Sequence, residues 1–324
     1  MSLRGRVPPP YSPGMTNTPF GKTGFCVSPL GFGAAPIGFL KTERERVGRL
    51  LNALLDGGLN LIDTAAAYEG SEEMIAEAVG HRRKDFILVS KCGGKLADVP
   101  GEAFSHEVVA GTVDRSLRRL KVDALDVMLL HSCDLKTLQA GEALGALLEA
   151  QRAGKVRFVG YSGDNEAAAH AAAMPEIAVI ETSISICDQA NIDAVLPVAF
   201  RNNVGVLAKR PIANAAWKDL AQQQGLYQSY AKVYTDRLAA MKLKVSDLGI
   251  AGPPQQAWPE AALRFTLSQP GVNTAIIGTT NPDNALENIV AVGRGVLPAD
   301  AVRRIRRAFD EAQAAAGAKW TGQT

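Results

Sequence analysis

The feature that most constrains this chain is an unbroken alternation of short apolar runs and longer amphipathic stretches. The runs are Pro29–Gly38, Asn60–Asp63, Phe86–Lys91, Leu125–Leu130, Val156–Tyr161, Ile177–Ile180, Val204–Ala208 and Thr274–Ile277. Short and almost continuously apolar, they read as strands buried on both faces, which implies parallel pairing. The intervening segments have helical spacing. In Thr42–Asp56, Val47, Leu50, Leu51, Leu54 and Leu55 form one stripe, and Gly57-Gly58 stops it. In His106–Leu120 the stripe is Val109, Val113, Leu117 and Leu120. Further helices are expected at Leu135–Ala153, Ala190–Asn202, Pro259–Ser268 and Pro282–Val292. Eight strand-then-helix units in 324 residues predict an α/β fold, a (β/α)8 TIM barrel. A doubly wound open sheet is the competitor. It would carry a GxGxxG turn between a strand and its helix, and none stands in the right place.

Around the barrel, the sequence predicts a hairpin at Phe20–Ser28, a long loop at Arg210–Trp258 after strand seven, and an extra C-terminal helix at Pro298–Ala315. The polar, Pro-rich Met1–Thr18 reads as a loosely attached tail, leaving 19–324 as a single domain. A net charge of +2 gives no electrostatic case for nucleic acid or an anionic membrane. No apolar stretch is long enough to span a bilayer, and the N-terminus lacks the apolar segment of a signal peptide. Cys26, Cys92, Cys133 and Cys187 are scattered without CxxC spacing, which suits a reducing cytoplasm. The expected partner is a small molecule, and no feature fixes an oligomeric state.

In such a barrel the C-terminal ends of all strands open on one face, where the site lies. That rule gathers Asp63, Tyr68, Lys91, His131, Ser162, Glu181 and Lys209 around one mouth. An Asp or Lys at one strand end is ordinarily just an exit to solvent; polar groups at the ends of several strands form a set. Loop aromatics Trp217, Tyr227, Tyr230, Tyr234 and Trp258 either line a substrate pocket or pack the loop onto the barrel, with equal weight.

A free tyrosine has a pKa of about 10, and a neighbouring ammonium lowers it. Lys91 is placed to do this for Tyr68, with Asp63 holding Lys91 charged. A neutral His131 can orient a carbonyl oxygen. This constellation handles a proton and supplies no hydride, so a nicotinamide cofactor is expected across the mouth. Zinc chemistry lacks HxH or HExxH spacing. Thiol chemistry at Cys92 or Cys133 is the lesser alternative, because small buried cysteines are common at strand ends.

DTAAAYEGSEE resembles the DTAxxYGxSE signature of the aldo-keto reductases, and VSKCG their strand ending in the catalytic lysine. VMLLHSCD resembles LLHxxD, KVRFVGYSGDN resembles the GKvRxiGvSN element, and Ala262–Asn288 resembles the final helix–strand–helix. The five occur in order over nearly the whole chain. The resemblance implies a TIM barrel without a Rossmann domain and reversible NAD(P)H-linked reduction of an aldehyde or ketone. It casts Tyr68 as proton donor, Asp63 and Lys91 as the groups that tune it, and His131 as the group that orients substrate. It further implies cofactor contacts at Gly33, Ala34, Asp63, Ser162, Gly163, Glu181, Lys209, Arg210, Gly278, Thr279, Thr280, Asn281, Asn284 and Asn288, and no metal. Lys209 and Arg210 read equally as a solvated basic pair.

Several positions depart from the pattern. Gly163 stands where the family usually has Asn, Glu181 where many have Gln, and Ile184 where many stack a Tyr. Gly278 and Asn284 stand where NADP-selective members often place Lys and Arg for the 2′-phosphate. NADP is the family default, and its selectivity over NAD is expected to be weakened, because charge-assisted hydrogen bonds are roughly twice as strong as neutral ones. The altered nicotinamide positions also motivate an alternative reading, a barrel that binds nucleotide as a sensor or accessory subunit without turnover.

Overall fold

The apolar runs form strands whose alternate side chains go to two different cores. The computed structural model describes residues 15–40, 42–222 and 226–324. A two-stranded antiparallel hairpin, β1 (Thr18–Pro19) and β2 (Cys26–Val27), precedes the barrel. The barrel strands are β3 (Leu30–Gly33), β4 (Leu61–Asp63), β5 (Ile87–Cys92), β6 (Leu125–His131), β7 (Val156–Ser162), β8 (Val179–Ser183), β9 (Gly205–Lys209) and β10 (Thr274–Ile277). They close in sequence order, every pair parallel, with β10 against β3 sealing the ring.

Because side chains alternate along a strand, one residue of each pair enters the barrel and the next faces the helices. Inside, Leu61, Val89, Val127, Leu129, Val179, Leu207 and Ile276 form one buried cluster. Outside, Phe32, Ile62, Leu88, Met128, Leu130, Ile180 and Val206 pack with the helix stripes in a second, larger core. The helix Arg44–Asp56 buries all five residues of its expected stripe. The same alternation leaves Asp63, Lys91, His131, Ser162, Glu181 and Lys209 as the inward residues at the strand ends. Apolar layers therefore lie below, and polar groups ring the open end.

The hairpin plugs the opposite end. Phe20 is fully buried in the inner cluster with Val27. A Cβ on Gly205 would lie 2.6 Å from the Phe20 ring, so only glycine lets the strand start this close to the plug. The tail expected over Met1–Thr18 falls outside the described residues as far as residue 14. From Met15 onward the chain is attached, with Met15 packed on the outer core and Thr18 paired to Val27.

Some expected elements are shorter or broken. The first strand ends at Gly33, and Ala35–Phe39 turns into a short helix. The segment Leu135–Ala153 is two helices, Leu135–Ala140 and Glu142–Arg152, parted at Gly141 with φ +80°. Ala190–Asn202 likewise divides into Ala190–Ala194 and Leu196–Arg201. The helix before β10 starts earlier than expected, at Pro254, and carries Pro259 within its first two turns. The C-terminal helix runs Ala299–Ala315 with Pro298 at its cap. The long loop holds a helix, Leu226–Met241, that packs against Ala299–Ala315.

Replacing Phe20 by Ala removes a fully buried aromatic from a packed plug and is expected to cost about 3–5 kcal/mol, measured by urea unfolding. A loss under about 1 kcal/mol would show that the hairpin contributes little to closing the barrel.

Candidate active site

The site is built on β4 and the loop after it. Thr64 N–H donates to Val89 O and Ala66 N–H to Lys91 O, so the loop continues the β4–β5 pairing for a few residues. Tyr68 N–H then donates to Ala65 O, closing a turn, and Ser71 N–H donates to Tyr68 O as the helix Ser71–Val79 begins. The Ser71 and Thr64 hydroxyls pair at 2.8 Å, and Arg115 Nη1 holds Ala66 O at 3.0 Å. Tyr68 is thus presented over the mouth from a loop anchored at both ends.

Beneath it lies Lys91, its side chain completely buried. Nζ donates to Asp63 Oδ1 at 2.6 Å, to Asp63 Oδ2 at 2.7 Å and to Thr64 O at 2.9 Å. Glu181 Oε2 approaches Nζ to 3.1 Å. Nζ lies 5.3 Å from the Tyr68 ring centre, and the Tyr68 and His131 rings meet edge to face at 6.0 Å. Burial works against the charge on Lys91, but Asp63 and Glu181 outweigh it and hold its pKa above the ordinary value. The Asp63 carboxyl is pushed well above the carboxylate range by burial and by Glu181, against the pull of Lys91. Burial, reinforced by Lys91, Lys209 and Arg210, takes His131 down to about 3, so its imidazole is neutral at physiological pH.

Tyr68 departs from expectation. Lys91 does lower its pKa, but burial outweighs that pull, and Asp63 and Glu181 add to the rise. The phenol stands at about 12. It is protonated at neutral pH.

Asp63, Tyr68, His131 and Glu181 line one cavity of about 510 Å³, with Lys91 buried beneath it. Of the positions expected to touch a cofactor, Gly33, Asp63, Ser162, Glu181, Lys209, Arg210, Gly278, Thr279 and Thr280 line it. The other five do not. Ala34 is buried in the outer core. Gly163 donates its N–H to Glu181 O, and a Cβ there would meet the Tyr161 hydroxyl at 2.4 Å. That hydroxyl is fixed by Cys133 O at 2.7 Å, which accounts for glycine in place of the family's usual Asn. Asn281 caps the helix Pro282–Gly293 by accepting from Asp283 N–H, Asn284 is exposed, and Asn288 lies on the buried face of that helix. Ile184, aligned with a stacking Tyr, is fully buried in the outer core and does not face the mouth.

Lys209 and Arg210 are built into the barrel rather than solvated. Lys209 pairs with buried Asp164 at 2.9 Å, and Arg210 Nη1 donates to Ser183 Oγ at 3.0 Å. Of the loop aromatics, Tyr234 is fully buried with its hydroxyl on Asp188 at 2.8 Å, and Trp217 and Trp258 stack on one another at 6.0 Å. They pack the loop; none lines the cavity. The side chains of Tyr227 and Tyr230 lie outside the described residues. Among the described residues of the loop, those that reach the mouth lie within Arg210–Ala215, and Arg210, Ala213, Asn214 and Ala215 all have positive φ there. Such conformations are costly for non-glycine residues and gather at functional sites.

Sequence reasoning missed three features. Phe39 lines the mouth with its ring 5.2 Å from that of Tyr68. Arg46, on the helix Arg44–Asp56, donates to Thr280 O at 2.6 Å and brings a cation to a loop that reads as neutral. The segment after the last helix crosses the mouth. Gly322 exchanges two hydrogen bonds with Asn165, Gln323 N–H donates to Asp188 at 3.1 Å, Ser183 and Arg210 donate to Gln323 O, and Thr324 lines the cavity. All three depend on contacts between segments far apart in the sequence.

No group of three or more potential metal ligands is found among the described residues. No helix among them is long and apolar enough to cross a membrane. Burial raises the thiols of Cys92, Cys133 and Cys187, that of Cys133 to about 12, which removes the thiolate a nucleophile needs. Maleimide at neutral pH is expected to label exposed Cys26 alone in the folded protein and all four thiols after unfolding, read by mass spectrometry. Labelling of Cys92 or Cys133 at the Cys26 rate would contradict their burial.

The chain is similar to known proteins over most of its length. The chain is 26% identical over 310 residues to the uncharacterized oxidoreductase YqkF of Bacillus subtilis, covering 90% of this chain and 96% of that one. It is 27% identical over 287 residues to L-galactose dehydrogenase of Arabidopsis thaliana, with 84% and 86% covered. It is 26% identical over 316 residues to the NADH-specific methylglyoxal reductase of Escherichia coli, with 89% and 96% covered. Among solved structures it resembles the aldo-keto reductase AKR11C1 from Bacillus halodurans in its holo form, with a TM-score of 0.76, 25% identity and 91% and 96% of the chains covered. The sequence profile of the Aldo/keto reductase family matches residues 29–310, and with a closed eight-stranded parallel barrel beneath that match, the chain belongs to this family.

Proposed function

We propose that this protein reversibly transfers a hydride between NAD(P)H and an aldehyde or ketone, with Tyr68 as general acid and base. The observation that carries the reading is the buried Lys91–Asp63 pair under a protonated phenol, with a neutral imidazole across the same mouth. A bound nicotinamide nucleotide supplies the hydride. This chain supplies everything else. A carbonyl oxygen placed between Tyr68 and His131 accepts the phenol proton as negative charge develops on it, and the Lys91 ammonium stabilises the phenolate left behind. In the oxidising direction Tyr68 takes the proton back.

The residues present suit such a nucleotide. Glu181 Oε2 is a buried oxygen with no hydrogen-bond partner, suited to an amide N–H of the cofactor. Ser162, Thr279 and Thr280 offer donors, and the N-terminus of the helix Pro282–Gly293 favours a phosphate. Lys209 and Arg210 add positive charge on the β9 side. Arg46 beside Thr280 offsets part of the basic charge lacking at Gly278 and Asn284, so either NADP or NAD can be served. The neighbouring half-exposed Phe39 gives the substrate side an apolar wall. Relatives named for L-galactose and for methylglyoxal support a small polar carbonyl or alcohol as substrate.

Tyr68→Phe is expected to lower turnover on a carbonyl panel by about a hundredfold or more. The affinity for NADH and NADPH, from protein-fluorescence titration, should stay within about threefold. Full turnover in this variant would remove Tyr68 from the role of acid.

A further inference from the structure

Two carboxylates converge on one buried ammonium. Asp63 takes Lys91 Nζ from β4 with both oxygens, and Glu181 closes on it from β8, across the barrel. The Glu181 backbone is fixed by the register Ser162↔Glu181 and by Gly163 N–H donating to its carbonyl, so the side chain has little choice of direction. Its side chain is 4% exposed. Oε2 lies 3.1 Å from Nζ but makes no aligned hydrogen bond, there or elsewhere among the described residues. Burying an ill-partnered carboxylate oxygen costs free energy, and Lys91 already has Asp63 and Thr64 O to satisfy it. The hydrogen bonds of Lys91 are thus filled without the second carboxylate.

We propose that Glu181 is a positioning residue for the proton donor: it cancels the Lys91 charge that Tyr68 would otherwise feel, so the phenol holds its proton more tightly than it would above a neutral side chain. Glu181 brings a second carboxyl group to the single ammonium beneath the phenol. The other charged or titratable groups facing this space are His131 on β6, which is neutral, and Lys209 and Arg210 at the end of β9. Lys209 is engaged by Asp164, and Arg210 by Ser183 and Gln323. Burial is the largest cause of the high Tyr68 pKa, and Glu181 adds to it. The functional effect is directional. Reduction, which needs the phenol, proceeds over a wide pH range, whereas oxidation, which needs the phenolate, is confined to alkaline pH.

The inference rests on the reading of Tyr68 as proton donor, but its test requires neither nucleotide nor substrate. In unliganded protein carrying 13C at the tyrosine ring Cζ, the Tyr68 signal is assigned with Tyr68→Phe and titrated through alkaline pH. Glu181→Gln is expected to raise the Tyr68 acid dissociation constant roughly tenfold, a shift of about one pH unit downward. Glu181→Met, also neutral, should do the same, and serves if the amide variant folds poorly. Glu181→Asp, which keeps the charge, should stay closer to the parent. A shift of less than about twofold, or an upward shift, in the neutral variants overturns the proposal. If the shift appears while the enzyme turns over no carbonyl, the proposal stands and the assigned reaction fails.

Discussion

An ammonium inside a barrel of Leu, Ile and Val survives only if counter-charges go in with it. Lys91 is that ammonium, and the site follows from satisfying it. Asp63 must lie on the neighbouring strand at the same height, Thr64 must turn its carbonyl inward, and the loop that carries Tyr68 starts from that turn. The pairing Asp63↔Val89, two residues before Lys91 on β5, sets this height. The hydrogen bonds of the loop to β5 then leave the phenol above the ion pair. The geometry of the mouth and the barrel register are here one constraint.

The same logic extends around the ring. Asp164, just past β7, accepts from Thr182, Ser183 and Asn191 and pairs with Lys209. Burial opposes its charge, but Lys209 and the Ser183 N–H hold its pKa below the usual carboxylate value. This second buried pair joins β7, β8 and β9, while Asp63–Lys91 joins β4 and β5. The C-terminal segment leans on the first of these networks through Asn165, Ser183 and Arg210. The β7–β9 side of the mouth is therefore a polar scaffold, and the side with Phe39 and Ile212 is more apolar.

Much of this was legible in the sequence because strand ends are local. An apolar run that stops at Asp, Lys or His fixes both the strand and its last inward residue, so Asp63, Lys91, His131 and Ser162 could be placed without coordinates. What was not legible depends on contacts between distant segments. Arg46 meets Thr280, and Asn165 meets Gly322, only because the ring closes and the last helix folds back. Trp217, Tyr234 and Trp258 look alike in sequence whether they face a cavity or a core; here they face a core. The Tyr68 pKa was misjudged in sign for a related reason. A charged neighbour can be named from motifs, but the depth at which it sits cannot, and at this depth burial exceeds the pull of Lys91.

The Phe20 plug has a consequence for the supply of protons. Below Asp63 and Lys91 the barrel holds Leu61, Val89, Leu129 and Leu207, and then the phenyl ring. None of these side chains carries an exchangeable hydrogen; the Thr274 hydroxyl beside Leu61 and Ile276 is buried without a hydrogen-bond partner among the described residues. On the proposed reading of Tyr68 as donor, the opening that admits the reactants is also the route by which its proton meets solvent. On that reading, recharging the donor and emptying the pocket are coupled events, both passing the Phe39 rim and the C-terminal segment.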